Sequence, residues 1–198
     1  LDLGTSVLLR ESSPPAGATR LLDLGCGWGV IAVALAAACP DAVVDAVDVN
    51  PRALALTAAN ARAHGVGDRV RPSAPHEVDD GVRYDELWSN PPIRIGKEAL
   101  HELLLTWLPR LKPSGVARLV VGRNLGADSL QRWLVESLIP ENIARQVLGY
   151  LTQFASKASG LGIAGLGVLL VTAIALILTS QDVIHSFYVP AFRLKRDA

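Results

Sequence analysis

Three short groups of residues have the types and spacing to do chemistry. The first is Asp23-Leu24-Gly25-Cys26-Gly27-Trp28-Gly29, an acid followed by three glycines at alternate positions. Only a residue without Cβ lets the chain turn tightly there and bring its backbone against a ligand. The order differs from the G-x-G-x-x-G of dinucleotide sites, because the acid closes a strand and the glycines alternate. The second group is Asp48, 23 residues beyond Gly25. That is near the roughly 20-residue spacing at which such folds place an acid on ribose hydroxyls. A capping or surface acid is the alternative reading. The third is Asn90-Pro91-Pro92-Ile93. An Asn oxygen and the following Pro carbonyl can accept both hydrogens of an amine and aim its lone pair at an electrophile, which is catalysis by orientation without a strong base. Taken alone, the same residues make a proline-rich turn that ends a strand.

The elements around these groups put them at one place. Leu21 to Leu24 reads as a first strand, and Val30 to Cys39 as an Ala-rich first helix stopped by Pro40. Val43 to Val47 is a β-branched second strand that delivers Asp48. Asn50-Pro51 starts the next helix, with Asn50 as cap and Pro51 where a missing N–H costs nothing, and Gly65 ends it. Arg69 to Arg71 is a short third strand, followed by a loop over Ser73 to Glu77. Tyr84 to Ser89 is the strand that delivers Asn90. A helix over Glu98 to Leu108, a turn at Lys112-Pro113-Ser114-Gly115, a fifth strand over Val116 to Val121 and a helix over Ser129 to Val135 capped by Asp128 complete the pattern. His76, Glu77 and His101 read as loop, surface or cap residues. Arg94 and Lys97 suit RNA phosphates and a solvated helix start equally.

Composition narrows the classes. Of 198 residues half are hydrophobic, and 19 basic residues balance 19 acidic ones, so a globally basic nucleic-acid binder is not indicated. The two cysteines, Cys26 and Cys39, make neither a disulfide framework nor a Cys-rich metal site and fit a reducing compartment. No metal site is expected. Methionine is absent even at position 1, which suggests a sequence that begins inside a longer gene.

Residues 1 to about 136 resemble class I S-adenosylmethionine-dependent methyltransferases, and within them the small-subunit ribosomal RNA guanine-N2 methyltransferases. The resemblance is carried by Asp23 to Gly29, by Val47-Asp48-Val49-Asn50 and by Trp88-Ser89-Asn90-Pro91-Pro92-Ile93-Arg94-Ile95-Gly96-Lys97. It implies a Rossmann-like α/β core with a parallel sheet, in the cytoplasm, with S-adenosylmethionine as cofactor and RNA as partner. By the same resemblance Asp23, Gly25, Cys26, Gly27, Asp48 and Val49 bind the cofactor. Asn90, Pro91, Pro92 and Ile93 hold the target amine against the sulfonium methyl, and Arg94 and Lys97, which follow immediately, are the candidate substrate contacts. Many amino-methyltransferases carry Tyr or Phe at the fourth position of the motif to stack on the base, whereas Ile93 can only pack against it.

The chain changes character after residue 136. A complete fold of this class needs two more strands here, a hairpin that closes one edge of the sheet, and the reading is that the chain lacks them. Residues 158 to 181 carry no charge, and 160 to 179 form a run of apolar or small residues. As a helix at ~1.5 Å per residue that run spans roughly 30 Å, the hydrocarbon thickness. A candidate transmembrane helix that would anchor the chain is therefore expected there, with a soluble helix packed on the open sheet as the alternative. Leu138 to Thr179 resembles the YihY family of inner-membrane proteins. Ser180 to Ala198 resembles the entry to the copper domain of cytochrome c oxidase subunit II, but His185 lacks partner ligands, so no copper is expected. Three partial resemblances lead to the expectation of a chimera with a core over 1–136 and a tail over 137–198.

Overall fold

The computed structural model describes residues 2–122, 126–138 and 184–190. Six strands form one sheet in the order β3-β2-β1-β4-β5-β6. In chain order the elements are α1 (Leu3–Glu11), β1 (Arg20–Leu24), α2 (Val30–Ala38), β2 (Val43–Val47), α3 (Pro51–Ala63), β3 (Val70–Ser73), β4 (Tyr84–Ser89), α4 (Lys97–Trp107), β5 (Leu111–Gly122), α5 (Ala127–Leu138) and β6 (Ile184–Pro190). The first five strands run parallel, as the α/β reading expects. Strand β1 is central, with β2 on one side and β4 on the other. This reversal of strand order opens a crevice at the carboxyl ends of β1 and β4, where open α/β sheets bind their ligands.

Alternation along the strands builds two cores. Leu22, Leu24, Val47, Tyr84, Leu87 and Leu119 face Leu100, Leu104 and Trp107 of α4 and Leu130 and Leu134 of α5. Leu21, Val44, Ala46, Trp88 and Val120 face Leu8 of α1 and Ile31, Ala32 and Leu35 of α2. Burial on both faces is what a parallel sheet between helices requires. Two charged groups inside it are paired: Asp45 takes two hydrogen bonds of 2.8 Å from Arg20 and one of 3.0 Å from Tyr84, and Glu86 takes 2.8 and 3.2 Å bonds from Arg118.

The structure revises four expectations. Helix α1 forms ahead of the first strand, where the sequence reading placed no element. Helix α5 begins at Ala127, so Asp128 lies within its first turn and is not its cap. The turn expected at Lys112-Pro113-Ser114-Gly115 lies inside β5 as an irregularity, because Tyr84 pairs with Leu111 and Glu86 already pairs with Val116. Gly115 is required there: a Cβ would come to 3.0 Å from the Tyr84 carbonyl. Finally, the sheet does not end at β5, because β6 pairs with it antiparallel, from Val116 opposite Pro190 to Gly122 opposite Ile184. The expected transmembrane segment, 160–179, lies outside the described residues. Among the described residues no helix is long and apolar enough to cross a membrane, and no group of three or more His, Cys, Asp or Glu side chains could hold a metal.

Candidate functional site

The glycine turn leaves β1 at the crevice. Gly25, Gly27 and Gly29 have φ of +74°, +56° and +85°, the left-handed region that residues with a Cβ avoid. The turn is tied to β2, since the Gly25 and Cys26 amides donate to the Val47 carbonyl at 2.8 and 3.0 Å. It is tied to α3 as well: Thr57 Oγ1 donates to the Gly27 carbonyl at 3.1 Å, and Asn60 Nδ2 to the Trp28 carbonyl at 2.8 Å. A Cβ on Gly29 would lie 2.6 Å from Thr57 Cγ2, whereas one on Gly27 would meet nothing within 4 Å. Gly29 is therefore a packing glycine, and Gly27 borders open space on the side a ligand would occupy.

Asp23 closes β1 with its side chain fully buried. Its Oδ2 accepts the Ala32 amide at 2.9 Å, one of the free N–H groups that begin α2, while Oδ1 is buried with no partner. Burial pushes this carboxyl up to about 7, with the Ala32 hydrogen bond opposing and the Asp48 charge adding to the rise. An unpaired buried oxygen is costly unless a donor reaches it. A cationic amino group is such a donor, so the position fits the amino-acid end of the expected cofactor.

Asp48, at the end of β2, accepts the Gly27 amide on Oδ2 and the Asn50 amide on Oδ1, both at 2.9 Å. It thus braces the glycine turn from the neighbouring strand, and each oxygen retains a lone pair for a hydroxyl. Val49 beside it is 82% exposed, an apolar surface of a kind that suits an aromatic ring. Cys26 is placed differently: its side chain belongs to the core, and burial and the Asp23 charge push its thiol up to about 12. Only its backbone borders the turn.

Asn90-Pro91-Pro92-Ile93 leaves β4 beside this turn. Asp23 pairs with Trp88 across the two strands, and Pro92 Cδ lies 3.7 Å from where a Cβ of Gly25 would stand. Asn90 Nδ2 donates to Asp2 Oδ1 at 2.9 Å and Thr5 Oγ1 at 3.1 Å, contacts to α1 for which the sequence held no pattern. The Pro91 carbonyl accepts the Ile93 amide at 2.8 Å and keeps one lone pair. Arg94 and Lys97 are exposed next to this motif. Ile93 also walls a recess of about 210 Å³ between α4 and α5, lined by Lys97, Leu100, His101, Val121 and Leu130. His101, expected as a surface or cap residue, is half-buried here and stacked on Trp133 with ring centroids 3.5 Å apart. Burial, then Lys97, lowers its pKa.

Known proteins align with this arrangement. The methyltransferase small domain family matches residues 1–150. The ribosomal RNA small subunit methyltransferase C of Shewanella loihica is 35% identical over 129 residues, 63% of this chain and 37% of that protein. The structure of TrmN from Thermus thermophilus is 29% identical with a TM-score of 0.51, over 64% of this chain and 39% of that one. In agreement with a membrane-protein segment in the chain, a UPF0761 membrane protein of Verminephrobacter eiseniae is 67% identical over 61 residues, 31% of this chain. The chain spans only 15% of that protein's length. On the match over residues 1–150, the chain belongs to the methyltransferase small domain family, a family of S-adenosylmethionine-dependent methyltransferases with this parallel α/β fold.

Proposed function

We propose that this chain transfers a methyl group from S-adenosylmethionine to an exocyclic amine, guanine N2 of small-subunit ribosomal RNA. The observation that carries the reading is Asn90, which leaves β4 beside the glycine turn with Oδ1 free of hydrogen bonds among the described residues. When bound, the cofactor supplies an electrophilic methyl on a sulfonium. Asp23 Oδ1 would receive its amino group, the Gly25 to Gly27 backbone would border its amino-acid end, Asp48 would take the ribose hydroxyls and Val49 would pack on the adenine.

A ring-conjugated amine is a weak nucleophile, so the protein contributes by holding it. Asn90 Oδ1 and the Pro91 carbonyl accept its two hydrogens, which turns the nitrogen lone pair toward the methyl. The bound cofactor would give up its methyl to that nitrogen and keep the bonding electron pair on sulfur, and the extra proton on nitrogen would leave to water. The two oxygens also stabilise the positive charge that develops on nitrogen in the transition state. Ile93 and its recess give the base an apolar wall in place of a stacking ring. Arg94 and Lys97 meet phosphates. Support for ribosomal RNA comes from the 35% identity to ribosomal RNA small subunit methyltransferase C.

The 61-residue similarity to a membrane protein favours a second reading, a membrane-anchored or chimeric chain with an inactive methyltransferase-like domain. Its domains would be a core over 1–136 and a tail over 137–198, with a transmembrane helix over 160–179. The two readings separate in one experiment. The full chain is incubated with methyl-labelled cofactor and a small-subunit ribosomal RNA transcript, and the digested nucleosides are analysed by mass spectrometry. The enzyme reading expects N2-methylguanosine, with Asn90→Ala slower by about a hundredfold or more. No methylated nucleoside, or equal activity in the variant, overturns it.

A further inference from the structure

Helix α1 is bound to Asn90 by polar contacts that its packing does not require. Asp2 caps the helix, its Oδ1 accepting the Thr5 amide at 3.1 Å, and the same oxygen accepts Asn90 Nδ2 at 2.9 Å. The buried Thr5 offers Oγ1 as a second acceptor at 3.1 Å. Burial raises the Asp2 pKa, but hydrogen bonds from Thr5 and Asn90 outweigh it and hold the carboxyl below its ordinary value. An ionised carboxylate accepts and never donates, so the end of the Asn90 amide that faces it must be the NH2 group. Both amide hydrogens are engaged by α1, and Oδ1 is left without a hydrogen bond among the described residues. Gly4 lets the helix come this close: a Cβ there would lie 3.2 Å from Asn90 Nδ2 and 3.4 Å from Oδ1.

We propose that Asp2 and Thr5 are positioning residues for methyl transfer, which lock the amide of Asn90 in the sense that presents Oδ1 to the substrate amine. Without them the amide can rotate about its last torsion and present NH2 to an NH2 substrate, a donor against a donor. This inference rests on the reading that Asn90 holds the amine.

The bland account is that Asp2 merely caps α1, and a pair of substitutions distinguishes the two. Serine caps a helix about as well as aspartate but is one atom shorter and does not reach Asn90. Asparagine retains an acceptor oxygen at the same reach. In the full chain we expect Asp2→Ser to lower kcat on the ribosomal RNA transcript by about tenfold to a hundredfold, with unchanged affinity for S-adenosylhomocysteine, and Asp2→Asn to recover most of it. Thr5→Val, nearly isosteric, should lower kcat several-fold by the same route. Asp2→Ser with wild-type kcat overturns the proposal. If the wild-type chain binds S-adenosylhomocysteine yet methylates nothing, the amine reading fails, and the contact is judged by NMR. The side-chain amide signals of Asn90, identified by their loss in Asn90→Asp, should move in Asp2→Ser and return in Asp2→Asn. Signals that stay in place in Asp2→Ser overturn the lock.

Discussion

Asp23→Asn should stabilise the fold and abolish cofactor binding, and the stabilisation should grow with pH. The carboxyl is fully buried with one oxygen unpartnered, and its pKa rises from 3.8 to about 7 on folding. A group whose pKa is raised in the folded state binds its proton more tightly there, so its contribution is fully present below the unfolded value and is lost as pH rises through the folded one. Between pH 4 and 7 the unfolded chain has released this proton while the folded chain holds it, and stability declines across that window. Each pKa unit is worth about 1.4 kcal/mol. Integrated over the two states, the deficit relative to a neutral side chain is about 2 kcal/mol larger at pH 8.5 than at pH 5.5. An asparagine keeps an oxygen for the Ala32 amide and carries no charge to desolvate. Urea unfolding of wild type and variant at the two pH values measures the difference directly, because all other titrating groups are common to both. Calorimetric titration with S-adenosylmethionine, whose amino group is cationic, should show binding to wild type that weakens below pH 7 and is absent in the variant. Equal destabilisation by Asp23→Asn at both pH values would refute the argument, since it would mean that the carboxylate is satisfied within the fold itself.

Four other substitutions test how the glycine turn and the sheet are held. Gly27→Ala and Gly29→Ala both force a left-handed residue, costing about 1–2 kcal/mol, but only Gly29→Ala also collides with Thr57. Thermal melts should show Gly29→Ala as clearly the less stable, while Gly27→Ala folds and loses affinity for S-adenosylhomocysteine by titration; the reverse order would overturn the assignment of their roles. Arg20→Met leaves Asp45, with a side chain 5% exposed, facing only Tyr84. That should cost about 3–5 kcal/mol in urea unfolding, against about 1 kcal/mol for Tyr84→Phe, and a cost below 1 kcal/mol for Arg20→Met would show that the pair is solvated.

Features set by neighbouring residues were legible in the sequence, and features set by distant ones were not. Glycines at alternate positions announce a left-handed turn because no other residue adopts that backbone cheaply, and all three have positive φ. The Asn50-Pro51 start of α3 is equally local, with Asn50 accepting the Arg52 amide at 3.0 Å. The lock on Asn90 joins residues 88 and 85 positions apart, and no spacing in one sequence records such a pair. An Asp two residues before a Gly-Thr pair could have been read as the start of a helix, but not as a partner of Asn90. Lys112 to Gly115 shows the opposite failure, a true local turn signal that tertiary pairing with β4 absorbs into a strand.

Strand β6 completes the sheet at its β5 edge by backbone pairing. A ladder is made by backbone N–H and C=O groups, so an exposed parallel edge accepts any segment of adequate β propensity. Ile184-His185-Ser186-Phe187-Tyr188-Val189-Pro190 is rich in β-branched and aromatic residues and ends in a proline, a residue tolerated only at an edge. Its ladder with β5 occupies that edge, from Val116 to Gly122. The residues proposed for the cofactor stand at the carboxyl ends of β1 and β2, and Asn90 at the end of β4, so β5 separates all of them from β6. Closure of the sheet by the β5–β6 ladder is therefore separate from the chemistry proposed at the carboxyl ends of β1, β2 and β4, where Asp23, Asp48 and Asn90 stand.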